Sequence, residues 1–324
     1  QELGAREITA VEENSLLIEA AKDIYNIADV ELIISSSRSF LRTSRQLFDI
    51  IQLPLTSSYH PVSSGAYSLG EDYRYTQESF NDMLDRLEEN GILVVTRWLQ
   101  EQPSEWLRTF MLALSALESR GVSPSDRIVA LRGYNTGTLL VKNGEFTEDE
   151  LTEIRTFIDE KAFDIVFSED IRPEEINQNN ILQEEVYYRK FKDAVDNEQR
   201  EGFYRDYVYD VRLPTDDQPF FGHYFKWSQI GEIWQSLGTT WQPFGGAGFL
   251  VILAIFGLAT LLAGGLIVLP AFVNLKNKER IDRRKVMMLT YFGMIGLAFM
   301  LVEMPMIQQS ILYLDHPTYA MAVV

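Results

Sequence analysis

REITAVEENSLLIEAAKDIYN, residues 6–26, is a short β-like run (6–13) that feeds an amphipathic helix (14–26). Asn14 can cap that helix, whose apolar face is Leu16, Leu17, Ala20, Ala21 and Ile24. A strand that feeds a helix is the βα unit. Three further apolar runs repeat the theme: VELII (30–34), FDIIQL (48–53) and GILVVTRW (91–98). Each is nearly continuous in hydrophobic residues, as strands covered on both faces must be. TQESFNDMLDRLEENG (76–91) and SEWLRTFMLALSALESRG (104–121) have the Ser/Thr start and glycine stop of helices. The alternation predicts an α/β domain built on a mostly parallel, doubly wound sheet. RIVAL (127–131) and GTLLVK (137–142) are close enough to form an antiparallel edge pair.

Beyond Thr147 the sequence turns to charged helix, TEDELTEIRTFIDEK and then ILQEEVYYRKFKDAVDNEQREGFYRD. This reads as a helical extension and linker, and the chain divides into 1–146, 147–245 and 246–324. Residues 241–324 carry six basic and four acidic side chains, so they are +2 and leave −20 for residues 1–240 out of the total of −18. A domain that acidic repels a phosphate backbone, which argues against a nucleic-acid partner. With no cysteine, and with His60, His223 and His316 far apart in sequence, no metal site is expected.

The third part points to a lipid bilayer. GFLVILAIFGLATLLAGGLIVLPAFV (248–273) has no charge, and at 1.5 Å per residue it reaches roughly 39 Å, enough to cross a hydrocarbon core of about 30 Å with some tilt. A second span is expected over 286–314, kinked near Pro305. Its only charge, Glu303, should face a helix bundle, bond to Gln308 or Gln309 of a neighbour, or be protonated. PTYAMAVV (317–324) reads as the start of a third span. The basic loop KNKERIDRRK (276–285) belongs in the cytoplasm by the positive-inside rule. A single crossing would then put residues 1–240 outside, which conflicts with a nucleotide-like ligand; further spans upstream or a re-entrant first segment would resolve it.

In open α/β sheets ligands lie beyond the C-terminal ends of the strands. Glu12 ends the first strand, where a carboxylate can accept both ribose hydroxyls of a nucleoside. Such an acid normally follows a glycine-rich turn by about 20 residues. Counting back from Glu12 passes Gln1 first, so the expectation is a sheet that lacks its first strand. Asp216 and Asp217 in PTDDQPFF are the remaining paired carboxylates, candidates either for a general base or for a turn built on Pro214 and Pro219. His60, next to Tyr59, is a loop residue read as exposed.

ITAVEEN (8–14), ISSSRSFLRTS (34–44), FDIIQLPLTSS (48–58), YRYTQESFNDMLDRLEENGILVV (73–95) and PTDDQPFFGHYFKW (214–227), with LVEMPMIQQSILYLDHPTYAMAVV after them, resemble membrane-bound spermidine-synthase-like proteins. That resemblance implies a Rossmann-type, methyltransferase-like domain that binds S-adenosylmethionine or its decarboxylated form, joined to transmembrane helices. It implies that Glu12 holds the donor's ribose. Ser36 and Ser37 stand where the family has Asp-Gly, whose Asp contacts the adenine amino group, and Gln52 lies on the cofactor side. Tyr75 and Thr76 match the Tyr-Thr beside the acceptor pocket. The family's synthases place an Asp just after the FDIIQL strand to deprotonate the attacking amine; here Gln52, Leu53, Pro54, Leu55, Thr56, Ser57 and Ser58 supply no acid. Catalytic candidates reduce to Asp216, Asp217 and Tyr75, and methyl transfer fits better than aminopropyl transfer. The expectation is a transferase in a bacterial inner membrane, acting on an amine or lipid-proximal acceptor. The alternative is a non-catalytic membrane protein whose domain senses a ligand or scaffolds a transporter-like bundle.

Overall fold

The computed structural model describes residues 4–24, 30–55, 69–100, 102–196, 200–231, 247–268, 283–314 and 317–324. The chain divides into two compact units, one of Gln1–Ser44 with Ile255–Val324 and one of Arg45–Ala254.

In the first unit, β1 (Ile8–Glu12), α1 (Ser15–Ile24) and β2 (Val30–Ile34) form the expected βα unit, with β1 and β2 parallel and Glu12 opposite Ile34. Asn14 caps α1, its side-chain oxygen accepting from Leu16 N at 3.0 Å. The helix buries Ile18 rather than the predicted face: Leu16, Leu17 and Ile24 are all exposed. α2 (Ser37–Thr43) follows, with Ser36 as its cap.

The second unit holds a five-stranded sheet of order β3-β4-β6-β5-β7: β3 (Phe48–Leu53), β4 (Leu87–Trp98), β5 (Ile128–Arg132), β6 (Thr136–Lys142) and β7 (Asp164–Phe167). β3 and β4 run parallel, whereas β4–β6, β6–β5 and β5–β7 are antiparallel. The sheet is therefore mixed, not mostly parallel. The short loop between β5 and β6 permits only a hairpin, and β7 returns antiparallel beside β5. β7 was hidden in the sequence by the charged helices around its four residues, and it carries the sheet past residue 146.

The helix beginning at Thr76 is shorter than its glycine stop predicts. α3 (Gln77–Asp85) ends six residues before Gly91, which lies inside β4. A Cβ on Gly91 would sit 2.9 Å from the Phe48 carbonyl oxygen, so the glycine serves close strand approach and not helix termination. α4 (Glu105–Ser119) does end as predicted. Gly121, at φ +72°, donates to Glu118 O and Val122 N to Leu117 O, the paired bonds of a Schellman ending.

α4 is apolar nearly all round, as a helix enclosed by its neighbours must be. It packs on β4, β6, α3 and α6 (Val186–Val195). Trp106, Phe110 and Phe191 stack at its centre. α5 (Glu148–Lys161) closes a second cluster, placing Leu151 and Ile158 against Val129, Leu131 and Ile165. α7 (Arg200–Asp206) follows α6.

α8 (Ala247–Ala263) continues through a π-helical turn, Gly264–Val268, and α9 (Arg283–Leu314) contains Pro305. Within them, Phe249–Leu266 and Thr290–Ser310 have mean hydropathies of 2.5 and 1.5 and no buried residue, so two helices are long and apolar enough to cross a membrane. α10 (Pro317–Val323) is a short helix. Residues 276–282 of the basic loop lie outside the described residues.

Candidate functional site

The candidate residues fall into two groups, one in each unit. In the first unit, β1 and β2 end side by side, with Ser35 N donating to Glu12 O at 3.3 Å. This brings Glu12 to the strand ends beside Ser36 and Ser37. Glu12 Oε1 accepts from Asn14 N at 2.9 Å. Ser36 Oγ accepts from Ser39 N at 3.1 Å, so this serine holds the start of α2. A carboxylate at a strand end fits a nucleoside diol. A serine in place of Asp can offer an adenine one hydroxyl bond but no charge.

In the second unit, the PTDDQP segment is laced to the start of α3. Gln77 N donates to Pro214 O at 3.0 Å, Asp72 N to Pro219 O at 2.8 Å and Asp216 N to Glu78 Oε2 at 3.0 Å. Thr76 Oγ1 donates to Asp216 Oδ1 at 2.8 Å while accepting from Ser79 N, so one buried hydroxyl both caps the helix and grips the acid. Gln218 N bonds Thr215 O at 2.9 Å and closes a turn, which leaves Asp217 exposed. The two adjacent acids thus have different surroundings and form no dyad.

Tyr75 is buried, with its ring 4.5 Å from that of Phe221 and its phenol oxygen accepting from Arg97 Nη1 at 3.2 Å. Arg97 also pairs with Glu105 and lies over the Tyr75 ring at 4.7 Å. Burial opposes its charge, yet the Tyr75 phenol and Glu105 outweigh burial and hold the guanidinium above its ordinary pKa. Arg108, from α4, is wholly enclosed. It donates to the carbonyls of Phe220, Phe221, Asp210 and His223, and stands 4.1 Å over the Tyr224 ring. Burial lowers its pKa and raises that of Tyr224.

Gln52 is exposed near the end of β3, opposite Val94. Tyr59 and His60 lie outside the described residues. Among the described residues no group of three His, Cys, Asp or Glu could hold a metal ion. The sequence reading passed over Arg97, Glu105 and Arg108. The signal was there: an arginine inside GILVVTRW and another inside WLRTFML are charges in otherwise apolar elements, and these are rarely buried without a partner.

The class defined here is an α/β fold with a mixed sheet and two apolar helices. No protein-family model matches the chain, and no curated protein matches it. Among solved structures it is similar to a probable spermidine synthase from Corynebacterium glutamicum, at 15% identity over 47% of this chain and 53% of that one, with a TM-score of 0.35. It is also similar to spermidine synthase from Thermotoga maritima, at 17% identity over 57% of each chain and a TM-score of 0.33. A third is a spermidine synthase in complex with the transition-state analogue AdoDATO, at 15% identity over 57% of this chain and 56% of that one, with a TM-score of 0.31. The chain spans about half the length of these structures.

Proposed function

We propose that the protein is a membrane-anchored transferase of the spermidine-synthase-like type. It takes a methyl or aminopropyl group from S-adenosylmethionine or its decarboxylated form and passes it to an amine or lipid-proximal acceptor. The observation that carries the reading is the placement of Glu12 at the joint end of two parallel strands, beside Ser36 and Ser37. A carboxylate there accepts ribose hydroxyls. Among the described residues β1 pairs with β2 alone. The sulfonium donor is already activated, so the protein's task is to align nucleophile and leaving group. Asp216, held by the Thr76 hydroxyl, is the candidate carboxylate of the second unit. α8 and α9 cross the membrane, taken to be a bacterial inner membrane.

A second reading draws on the end of β3, where Gln52, Leu53, Pro54 and Leu55 supply no acid, and on Ser36, which is engaged in helix capping. On that reading the domain senses a ligand without transferring a group. Titration calorimetry of the intact protein with S-adenosylmethionine and with its decarboxylated analogue tests the donor. Saturable heat is expected with one of them, weakened about ten- to a hundredfold by Glu12→Ala, the worth of hydrogen bonds to a charged group. No heat with either donor removes the transferase reading. Binding untouched by Glu12→Ala removes the ribose assignment. Donor binding without transfer to any amine favours the sensor.

A further inference from the structure

Residues 223–230 have two unlike sides. On one side polar groups fix the segment to the domain. Lys226 Nζ donates to Tyr204 O and Tyr207 O, both at 2.6 Å, and so satisfies carbonyls at the C-terminal end of α7. Gln229 Nε2 donates to Val208 O at 2.7 Å, and Arg108 Nη2 to His223 O at 2.7 Å. On the other side aromatic rings gather around Phe249, in the first turn of α8. The ring centroids of His223 and Phe225 are each 5.2 Å from that of Phe249, and that of Trp227 is 6.3 Å away. Trp227 and Phe225 are themselves 5.3 Å apart. Phe225 is buried, whereas Trp227 is 67% exposed and Ile230 is 39% exposed. A large indole is thus held open to its surroundings by a segment that is otherwise pinned down.

We propose that this aromatic collar, with Trp227 outermost, is a membrane-interface anchor that sits at the headgroup level and fixes how the domain stands on the bilayer. The inference rests on the reading of α8 as a membrane-crossing helix and adds the depth of the domain to it. The uncharged apolar run 248–273 reaches roughly 39 Å at 1.5 Å per residue, more than the hydrocarbon thickness of about 30 Å, so its ends extend to the two faces of the hydrocarbon. Phe249 is the second residue of that run, at its domain-side end, and a ring touching it from the domain side stands in the headgroup layer. Tryptophan is the residue enriched at that level, with an apolar body and one N–H to place among polar groups. The occupant is the lipid interface, because the exposed ring is continuous with a helix that has no buried residue from Phe249 to Leu266.

The chain has no cysteine, so single cysteines can carry a spin label. In vesicles of phosphatidylcholine with phosphatidylglycerol, the accessibility of the label to oxygen relative to a water-soluble nickel chelate reports depth. Ser228→Cys samples the collar with Trp227 intact, Phe256→Cys samples α8, and Tyr134→Cys, 78% exposed on the domain, samples water. The expected order of the ratio is 256 above 228 above 134, and Trp227→Ala should pull the ratio at 228 down toward that at 134. A ratio at 228 equal to that at 134, with 256 deep, overturns the anchor and leaves the span intact. A label at 256 open to the nickel chelate overturns the span itself and the anchor with it. No change at 228 on Trp227→Ala overturns the role of Trp227.

Discussion

Thr76 and Asp216, 140 positions apart in the chain, are joined by a 2.8 Å hydrogen bond from the threonine hydroxyl to Asp216 Oδ1. Thr76 is fully buried and at the same time caps α3. The cap of one helix thereby fixes the position of a carboxylate from a distant loop, and the acid inherits the rigidity of α3.

Asp216→Asn and Asp216→Leu should separate holding from chemistry. The asparagine keeps an oxygen for the Thr76 hydroxyl, so chemical denaturation should place it within about 1 kcal/mol of the parent. The leucine leaves the buried hydroxyl only its longer acceptor, Tyr73 O at 3.5 Å, and should lose about 1–3 kcal/mol. If Asp216 steers the acceptor, the asparagine variant loses transfer while its stability holds. Full transfer by the asparagine variant removes Asp216 from the reaction.

Arg108→Met should be among the most destabilising single changes in the domain. The guanidinium serves four backbone carbonyls between Asp210 and His223, and methionine matches its length but donates nothing. Each stranded carbonyl costs about 1–3 kcal/mol where water cannot reach it, so the loss should exceed about 3 kcal/mol by urea unfolding. Arg108→Lys should not rescue it, since an ammonium cannot fork to carbonyls on several sides. A loss below about 1 kcal/mol would show that the 210–223 strap holds without its central donor.

Gly137→Ala tests the packing of β6 against α4. An added Cβ would press into the indole of Trp106, which is fully buried and already flanked by Tyr187 and Phe191. With no room for the ring to retreat, overpacking of about 1–3 kcal/mol is expected as a lowered urea midpoint. The same change at Gly231, where a Cβ meets nothing, should be close to neutral.

How much of this was legible in the sequence follows the range of the forces involved. The Asn14 cap, the Gly121 helix end and the first three strands rest on neighbours within a few residues, and the composition displays them. Gly91 misled because its reason lies across the sheet at Phe48 O, and a glycine after a helical run reads as a stop. β7 was missed because its pairing with β5 is decided by tertiary contact, not by its own four residues. The predicted face of α1 did not become buried, for an apolar stripe states only that burial would help. Short motifs single out Glu12 and Ser36 in one unit and Tyr75 and Thr76 in the other, and of these the structure puts Glu12 at the end of β1, Ser36 at the cap of α2 and Thr76 at the cap of α3. The bonds of Arg108 run to residues more than a hundred positions away, which no periodicity encodes.

His223 gives a pH dependence whose sign can be worked out. Burial, and then the charge of Arg108, lower its pKa below the ordinary 6.5, while Asp210 opposes them. The unfolded chain therefore binds the proton more readily than the folded one. The stabilisation is complete above about pH 6.5 and declines as the pH falls below that value toward the lower folded pKa. Between pH 7.5 and 5.5 the Tm of the detergent-solubilised protein should fall. His223→Phe retains a ring against Phe249 and leaves the backbone carbonyl for Arg108, but it has no proton to gain. Its Tm should fall less over the same interval. Carboxylates whose pKa is lowered in the fold, such as Asp164 and Glu175, stay ionised throughout that window and move neither curve. Equal losses in parent and variant would show that the His223 ring is open to protons in the folded state, and that its place between Arg108 and Phe249 is not sealed.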